Sequence, residues 1–185
     1  MSLHVKAGVS WQTTNNVYAK VNGSWKQIKQ VYVKVNGVWK QIWSYVYTKT
    51  DVLPTLVTGA SSASKAYSSI ISGSTVTVYG IIKGSVDGVN DISVYFNGAS
   101  KCVLNSVNDT SCNVTVSVKT NGTTPYIYLP YSFLANNWNA FSVNTTFTAT
   151  VTVPSTSLTI SITDESNNGQ NLSLSGTVSY QTTIS

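Results

Sequence analysis

The feature that most constrains this chain is an ungapped 14-residue repeat whose two full copies each carry an Asn-Gly step between two β-forming runs. Val17 to Gln30 reads VYAKVNGSWKQIKQ and Val31 to Ser44 reads VYVKVNGVWKQIWS, identical at ten of fourteen positions. A worn third copy, Leu3 to Asn16, puts Lys6, Ser10 and Trp11 where the next copy has Lys20, Ser24 and Trp25. Asn-Gly is what a two-residue type I′ turn demands, because both of its central residues take φ > 0. The turns therefore fall at Asn22-Gly23 and Asn36-Gly37, and each copy is predicted to be a β-hairpin.

A two-residue loop sets the register. Val21 faces Ser24, Lys20 faces Trp25, Ala19 faces Lys26 and Tyr18 faces Gln27. Because side chains alternate along a strand, one face of the second hairpin collects Val31, Val33, Val35, Val38 and Ile42. The other collects Tyr32, Lys34, Trp39, Gln41 and Trp43. A lone hairpin is marginal in water, so the aliphatic face is expected to be buried against the next hairpin, the main domain or another subunit. The aromatic and cationic face, Tyr18, Lys20, Trp25, Tyr32, Lys34, Trp39 and Trp43, has two readings. Either Lys20 and Lys34 lie over Trp25 and Trp39 as cross-strand cation–π pairs at a subunit contact, or the exposed rings form a platform for sugars or another polymer.

Charge follows the repeat. Seven of the eleven lysines precede the first acidic residue, Asp51, while the remainder of the chain sets four lysines against six carboxylates. Arginine, the residue suited to bidentate recognition of phosphates and bases, is absent, which argues against sequence-specific nucleic-acid binding. No run of 18 or more apolar residues occurs, so membrane insertion is not expected, and the opening residues lack the apolar core of a signal peptide.

The expected organisation is a hairpin-repeat region over residues 1–50 and a β-sandwich over residues 51–185, with the Ser/Ala-rich stretch 58–74 as a linker or long loop. Alternating segments bounded by Gly, Asn and Pro run from Thr75 to Lys83, Asp91 to Phe96, Ser111 to Lys119, Tyr126 to Leu129, Phe141 to Val153, Ser157 to Thr163 and Leu172 to Tyr180. Only Ser64 to Ile71 hints at a helical period. The fold class is all-β, N-terminal hairpins followed by an antiparallel sandwich of immunoglobulin-like or jelly-roll topology.

Catalytic chemistry is poorly provided for. One His, six carboxylates and two cysteines offer no acid–base constellation, and no catalytic residue, metal site or cofactor is expected. Asp87 and Asp91 are explained by an Asp-Gly turn, and Asp164 and Glu165 by a solvated loop. A hairpin turning near Val107 would bring Cys102 opposite Cys112, giving either a disulfide or two buried thiols. Asn-X-Ser/Thr triplets at Asn108, Asn113, Asn121, Asn144 and Asn171 read as polar β-surface.

The segments VYAKVNGSWKQIK and VYVKVNGVWKQIW resemble the KVNGxWK hairpin repeats of structural proteins in tailed bacteriophages, including tail, fibre and baseplate components. The resemblance covers residues 17–44 well and residues 3–16 poorly, about a quarter of the chain. It implies a non-enzymatic virion protein, partnered by other virion proteins and by its own copies; trimers are common in such proteins. Capsid decoration is a further location it would suit. The competing expectation is a carbohydrate-binding or host-receptor module, with bacterial surface polysaccharide meeting the hairpin rings or sandwich loops containing Tyr126, Tyr128, Tyr131 and Trp138.

Overall fold

A computed structural model describes residues 3–7, 9–14, 16–59, 62–86, 91–109, 115–130, 141–165 and 172–183. The chain divides into two compact units, Met1–Thr48 with Thr182–Ser185, and Lys49–Gln181. All of its regular structure among the described residues is β-strand.

The first unit is three successive hairpins. These pair β1 (Leu3–Ala7) with β2 (Ser10–Thr14), β3 (Tyr18–Val21) with β4 (Ser24–Gln27), and β5 (Gln30–Val35) with β6 (Val38–Ser44). Each forms its own two-stranded sheet. At both Asn-Gly turns the two residues have φ near 50° and just above 80°, the left-handed pair that type I′ geometry needs. The resulting register sets Lys20 opposite Trp25 and Lys34 opposite Trp39. The worn copy has the same plan, with Lys6 opposite Trp11.

One departure follows from a β-bulge. The pairing runs Val33 to Lys40 and Tyr32 to Gln41, then shifts so that Val31 faces Trp43 and Ile42 is the extra residue. Residues directly opposite share a face, so the slip turns Trp43 away from Trp39 and onto the side of Val31. Trp43 is buried there, at 6% exposure. Its assignment to the aromatic and cationic face is therefore corrected: strict alternation fails where one strand carries an added residue.

The second unit begins in β7 (Val46–Thr58), which passes from one unit into the other, and continues through β8 (Ala63–Tyr67), β9 (Ser74–Val86), β10 (Ile92–Asn97), β11 (Lys101–Asp109), β12 (Ser117–Asn121), β13 (Thr124–Leu129), β14 (Phe141–Val153), β15 (Leu158–Asp164) and β16 (Leu172–Thr183). Two five-stranded sheets result, in the orders β12-β13-β10-β15-β8 and β11-β14-β9-β16-β7. The pairs β7 with β16, β8 with β15, β9 with β14, and β10 with β13 are mirror images in chain order about the β11–β12 connection. A long antiparallel hairpin rolled so that alternate pairs fall in opposite sheets is a jelly roll, and this decides the topology against the immunoglobulin alternative. At the tip the mirror rule stops, since β12 bonds to β13 and not to β11.

The core lies between the inner faces. Ile92, Val94 and Phe96 of β10 meet Ile160 and Ile162 of β15, Val76, Val78 and Ile82 of β9, and Phe147 and Val151 of β14, all within one buried cluster. Among the described residues that cluster runs from Leu53 to Tyr180. Full burial of each Ile, Leu or Phe contributes about 1.5–3 kcal/mol, so the jelly roll holds together on its own side chains. Phe147 lies over Gly80, its direct cross-strand neighbour, and fills the space a side chain at Gly80 would need.

Stretch 58–74 is not a linker. It contains β8, which pairs along Leu158–Ile162, and it sends Tyr67 and Ile70 into the core. The helical hint over Ser64 to Ile71 gives way to strand as far as Tyr67 and to irregular chain from Ser68 to Ile71, with Tyr67 and Ile70 buried in the core and Ser68 and Ser69 between them exposed. Nor does the chain turn near Val107: β11 continues through it, with Val107 opposite Phe147. The hairpin that was to align Cys102 with Cys112 is therefore not formed at that point. Asp164, expected in a solvated loop, ends β15 opposite Ile92 and is buried.

Candidate functional site

The hairpin unit presents an extended surface of large side chains. Trp25 is 70% exposed and Trp39 66%, with Tyr18 and Tyr32 about half exposed beside them. Lys34 Nζ stands 5.9 Å from the Trp39 ring centroid, within reach of a cation–π contact. Tyr32 donates a hydrogen bond to Gln30 Oε1 at 3.0 Å, which steadies the same face. The opposite face is open too: Val33, Val35, Val38 and Ile42 are all exposed. The burial expected for this aliphatic face is reached at Trp43, beside Val31, and not at those four residues. Rings of this size bury roughly 150–250 Å² apiece when covered, so the exposed Trp25 and Trp39 offer a surface large enough for a partner.

A second grouping lies on the outer face of the sheet containing β10, β12 and β13. Tyr95 and Tyr126 are cross-strand partners whose rings stack with centroids 4.7 Å apart, and Tyr128 meets Tyr126 edge-on at 6.4 Å. Lys119 Nζ sits 3.3 Å from the Tyr128 ring centroid. Tyr128 donates to Asp91 Oδ2 at 2.7 Å and Tyr95 to Glu165 Oε1 at 3.0 Å. The bond to Asp91 pushes the Tyr128 hydroxyl pKa up, whereas for Tyr95 burial is the larger cause and the bond to Glu165 the next. Tyr126 and Tyr128, grouped above with the sandwich loops as a sugar-binding set, stand on strand β13, where the alternating segment Tyr126 to Leu129 was expected; Tyr131 and Trp138 lie outside the described residues. Asp87 does as well, and Asp91 is a hydrogen-bond acceptor here. The alternating Tyr-Ile-Tyr of β13 signalled a shared outward face; Tyr95, thirty-one residues away, carried no local sign of joining it.

A third grouping was not visible in the sequence. Lys49 Nζ approaches Asp51 Oδ2 at 2.9 Å and donates to the Tyr180 hydroxyl at 3.0 Å, and that hydroxyl donates to Asp51 Oδ2 at 2.7 Å. Lys49 and Asp51 are on β7, and Tyr180 is on the adjacent β16. The hydrogen bond to Tyr180 and then that to Asp51 raise the Lys49 pKa, and the bonds from Lys49 and Tyr180 hold the Asp51 carboxyl below its ordinary value. These residues rim a cleft of about 350 Å³ opened between the two edge strands β7 and β8, with Lys65, Tyr67, Ser68 and Ser69 on its other side.

Cys102 is a free thiol on β11, buried, with its pKa pushed up to about 11 by that burial; Cys112 lies outside the described residues. Among the described residues no group of three or more His, Cys, Asp or Glu is placed to hold a metal ion, and no helix is long and apolar enough to cross a membrane. No protein-family model and no curated protein matches the chain.

Proposed function

We propose that this chain is a non-enzymatic structural component of a tailed-bacteriophage virion, in the tail, baseplate or fibre or as a capsid decoration, with the hairpins of residues 1–50 docked to the particle and the jelly roll displayed. One observation carries the reading: the hairpins leave Trp25, Trp39, Val33, Val35 and Val38 exposed, while the jelly-roll strands share one buried core cluster among the described residues. Two-stranded hairpins with large apolar side chains exposed on both faces gain stability from a partner, and the concentration of lysines in this unit suits an acidic one. The resemblance of VYAKVNGSWKQIK and VYVKVNGVWKQIW to phage repeats supports the same reading, and jelly rolls are a common viral architecture, which is support by analogy.

Size-exclusion chromatography with light scattering tests the self-assembly side of this function. The full chain is expected to associate at micromolar concentration and Trp25→Ala/Trp39→Ala to remain monomeric with an unchanged jelly roll. A full chain that stays monomeric while binding surface polysaccharide through the jelly roll would overturn it. That outcome would favour the second reading, a host-receptor module, for which the polar, tyrosine-rich outer face of Tyr95, Tyr126 and Tyr128 is the supporting observation. It stands second because Tyr95 stacks on Tyr126 and Lys119 covers Tyr128, so these ring faces are already occupied.

A further inference from the structure

The cleft between β7 and β8 combines features that packing alone does not require. Tyr67 lines it and is 95% buried by its 5% exposure, yet its hydroxyl has no hydrogen-bond partner. An unpaired buried hydroxyl opposes folding, and phenylalanine would fill the same volume without that penalty. Burial, with the charge of Asp51 second, pushes the Tyr67 pKa up to about 12, so the group stays a neutral donor at any physiological pH.

Around this hydroxyl the polar groups are already arranged. Asp51 is held ionised and oriented by Lys49 and Tyr180, and its carboxylate keeps further acceptor capacity. Lys65 is on the opposite wall, near enough that its charge helps keep Asp51 ionised, and it makes no ion pair among the described residues. Ser69, beside it, takes φ of 64°, a left-handed conformation that a serine adopts at a cost and that fixes the loop where Ser68 and Ser69 meet the cleft. Lys49 and Asp51 cancel, leaving one positive charge on Lys65 among several hydroxyl donors and acceptors. The volume is at the small end of sites that take small molecules.

We propose that this cleft binds one carboxylated sugar unit of an acidic polysaccharide, its carboxylate taken by Lys65 and its hydroxyls by Asp51, Ser68 and Ser69, and that the bound sugar uncovers the Tyr67 hydroxyl, closed to solvent in this structure, and becomes its missing partner. A neutral hexose lacks the group that Lys65 would hold, and a simple anion lacks the hydroxyls that Asp51 would accept from. The inference gives the receptor-binding reading a particular site and is independent of what the hairpins dock to.

Isothermal titration of the full chain with D-glucuronate and D-galacturonate, against D-glucose and acetate as controls, tests it. Saturable binding in the millimolar range is expected for at least one uronate, with neither control competing. Lys65→Ala, an exposed substitution, should weaken it about tenfold, the loss of one charge-assisted hydrogen bond. Tyr67→Phe should weaken it several-fold while leaving the melting temperature equal or higher, a combination that a purely structural tyrosine would not give. Absence of uronate binding overturns the proposal. Binding that survives both substitutions overturns the cleft as the site and leaves the receptor reading standing, as would acetate competing as well as the sugar.

Discussion

Replacing Gly80 by alanine should be among the most damaging single-methyl changes available in the jelly roll. A Cβ built at Gly80 would lie 2.2 Å from Phe147 Cζ and 2.3 Å from Cε1. Carbon atoms in contact prefer about 3.5–4.0 Å, so the ring edge would have to retreat by more than about 1 Å. Phe147 is 1% exposed in the middle of the β9–β14 pairing and has no solvent to swing into. Overpacking of a dense core costs about 1–3 kcal/mol, against which alanine recovers roughly 0.5 kcal/mol of the backbone entropy that glycine loses in a strand. A net destabilisation of about 2 kcal/mol follows, which for a unit of this size lowers the melting temperature by roughly 6 °C. Urea unfolding followed by circular dichroism gives the number, and a double-mutant cycle gives the cause. Phe147→Ala alone should cost about 3–5 kcal/mol. In its background Gly80→Ala should become nearly neutral, a coupling of about 1.5 kcal/mol or more. If Gly80→Ala costs the same with and without the ring, the steric reasoning is refuted.

Three further outcomes follow. Gly37→Val meets no atom within 4 Å but must hold a φ of 83°, so the cost of about 1–2 kcal/mol is purely conformational; loss of the Lys34–Trp39 cross-strand nuclear Overhauser effects with unchanged jelly-roll signals is expected. For Lys49 and Asp51 the signs run in opposite directions. The depressed Asp51 pKa contributes stability that is present above the ordinary carboxylate value and lost as pH falls through the folded value, and the raised Lys49 pKa contributes stability that is present below the ordinary lysine value and lost as pH rises through the folded one. The melting-temperature difference between the protein and Asp51→Asn should therefore be flat between about pH 5 and pH 9 and shrink below about pH 4. Cys102, buried and with a thiol pKa near 11, should resist a disulfide-exchange reagent at neutral pH in the folded protein and react once urea is added, as read by mass spectrometry of its peptide.

The contrast between the two units shows what kind of information a sequence carries. Hairpin register was legible because Asn22-Gly23 and Asn36-Gly37 act over two residues: the turn type they require leaves Lys20 no partner but Trp25, and Lys34 none but Trp39. The same local logic located most jelly-roll strands and the apolar side of each, since alternation is a property of the strand itself. It failed at Trp43, where one inserted residue reverses every later side chain, and at residues 63–67, whose Ser and Ala content concealed a strand held by its partner β15. Alternation also cannot say which strand lies next to which. The mirror pairing that makes a jelly roll was therefore settled only by closing one core over all the strands at once. So were the meeting of Asp51 with Tyr180 across 129 residues and the cleft it borders. What the sequence determined by itself is what short-range sterics and hydrogen bonding decide, two hairpins carrying exposed Lys–Trp pairs; the long-range contacts, and with them the candidate sugar site, belong to tertiary packing alone.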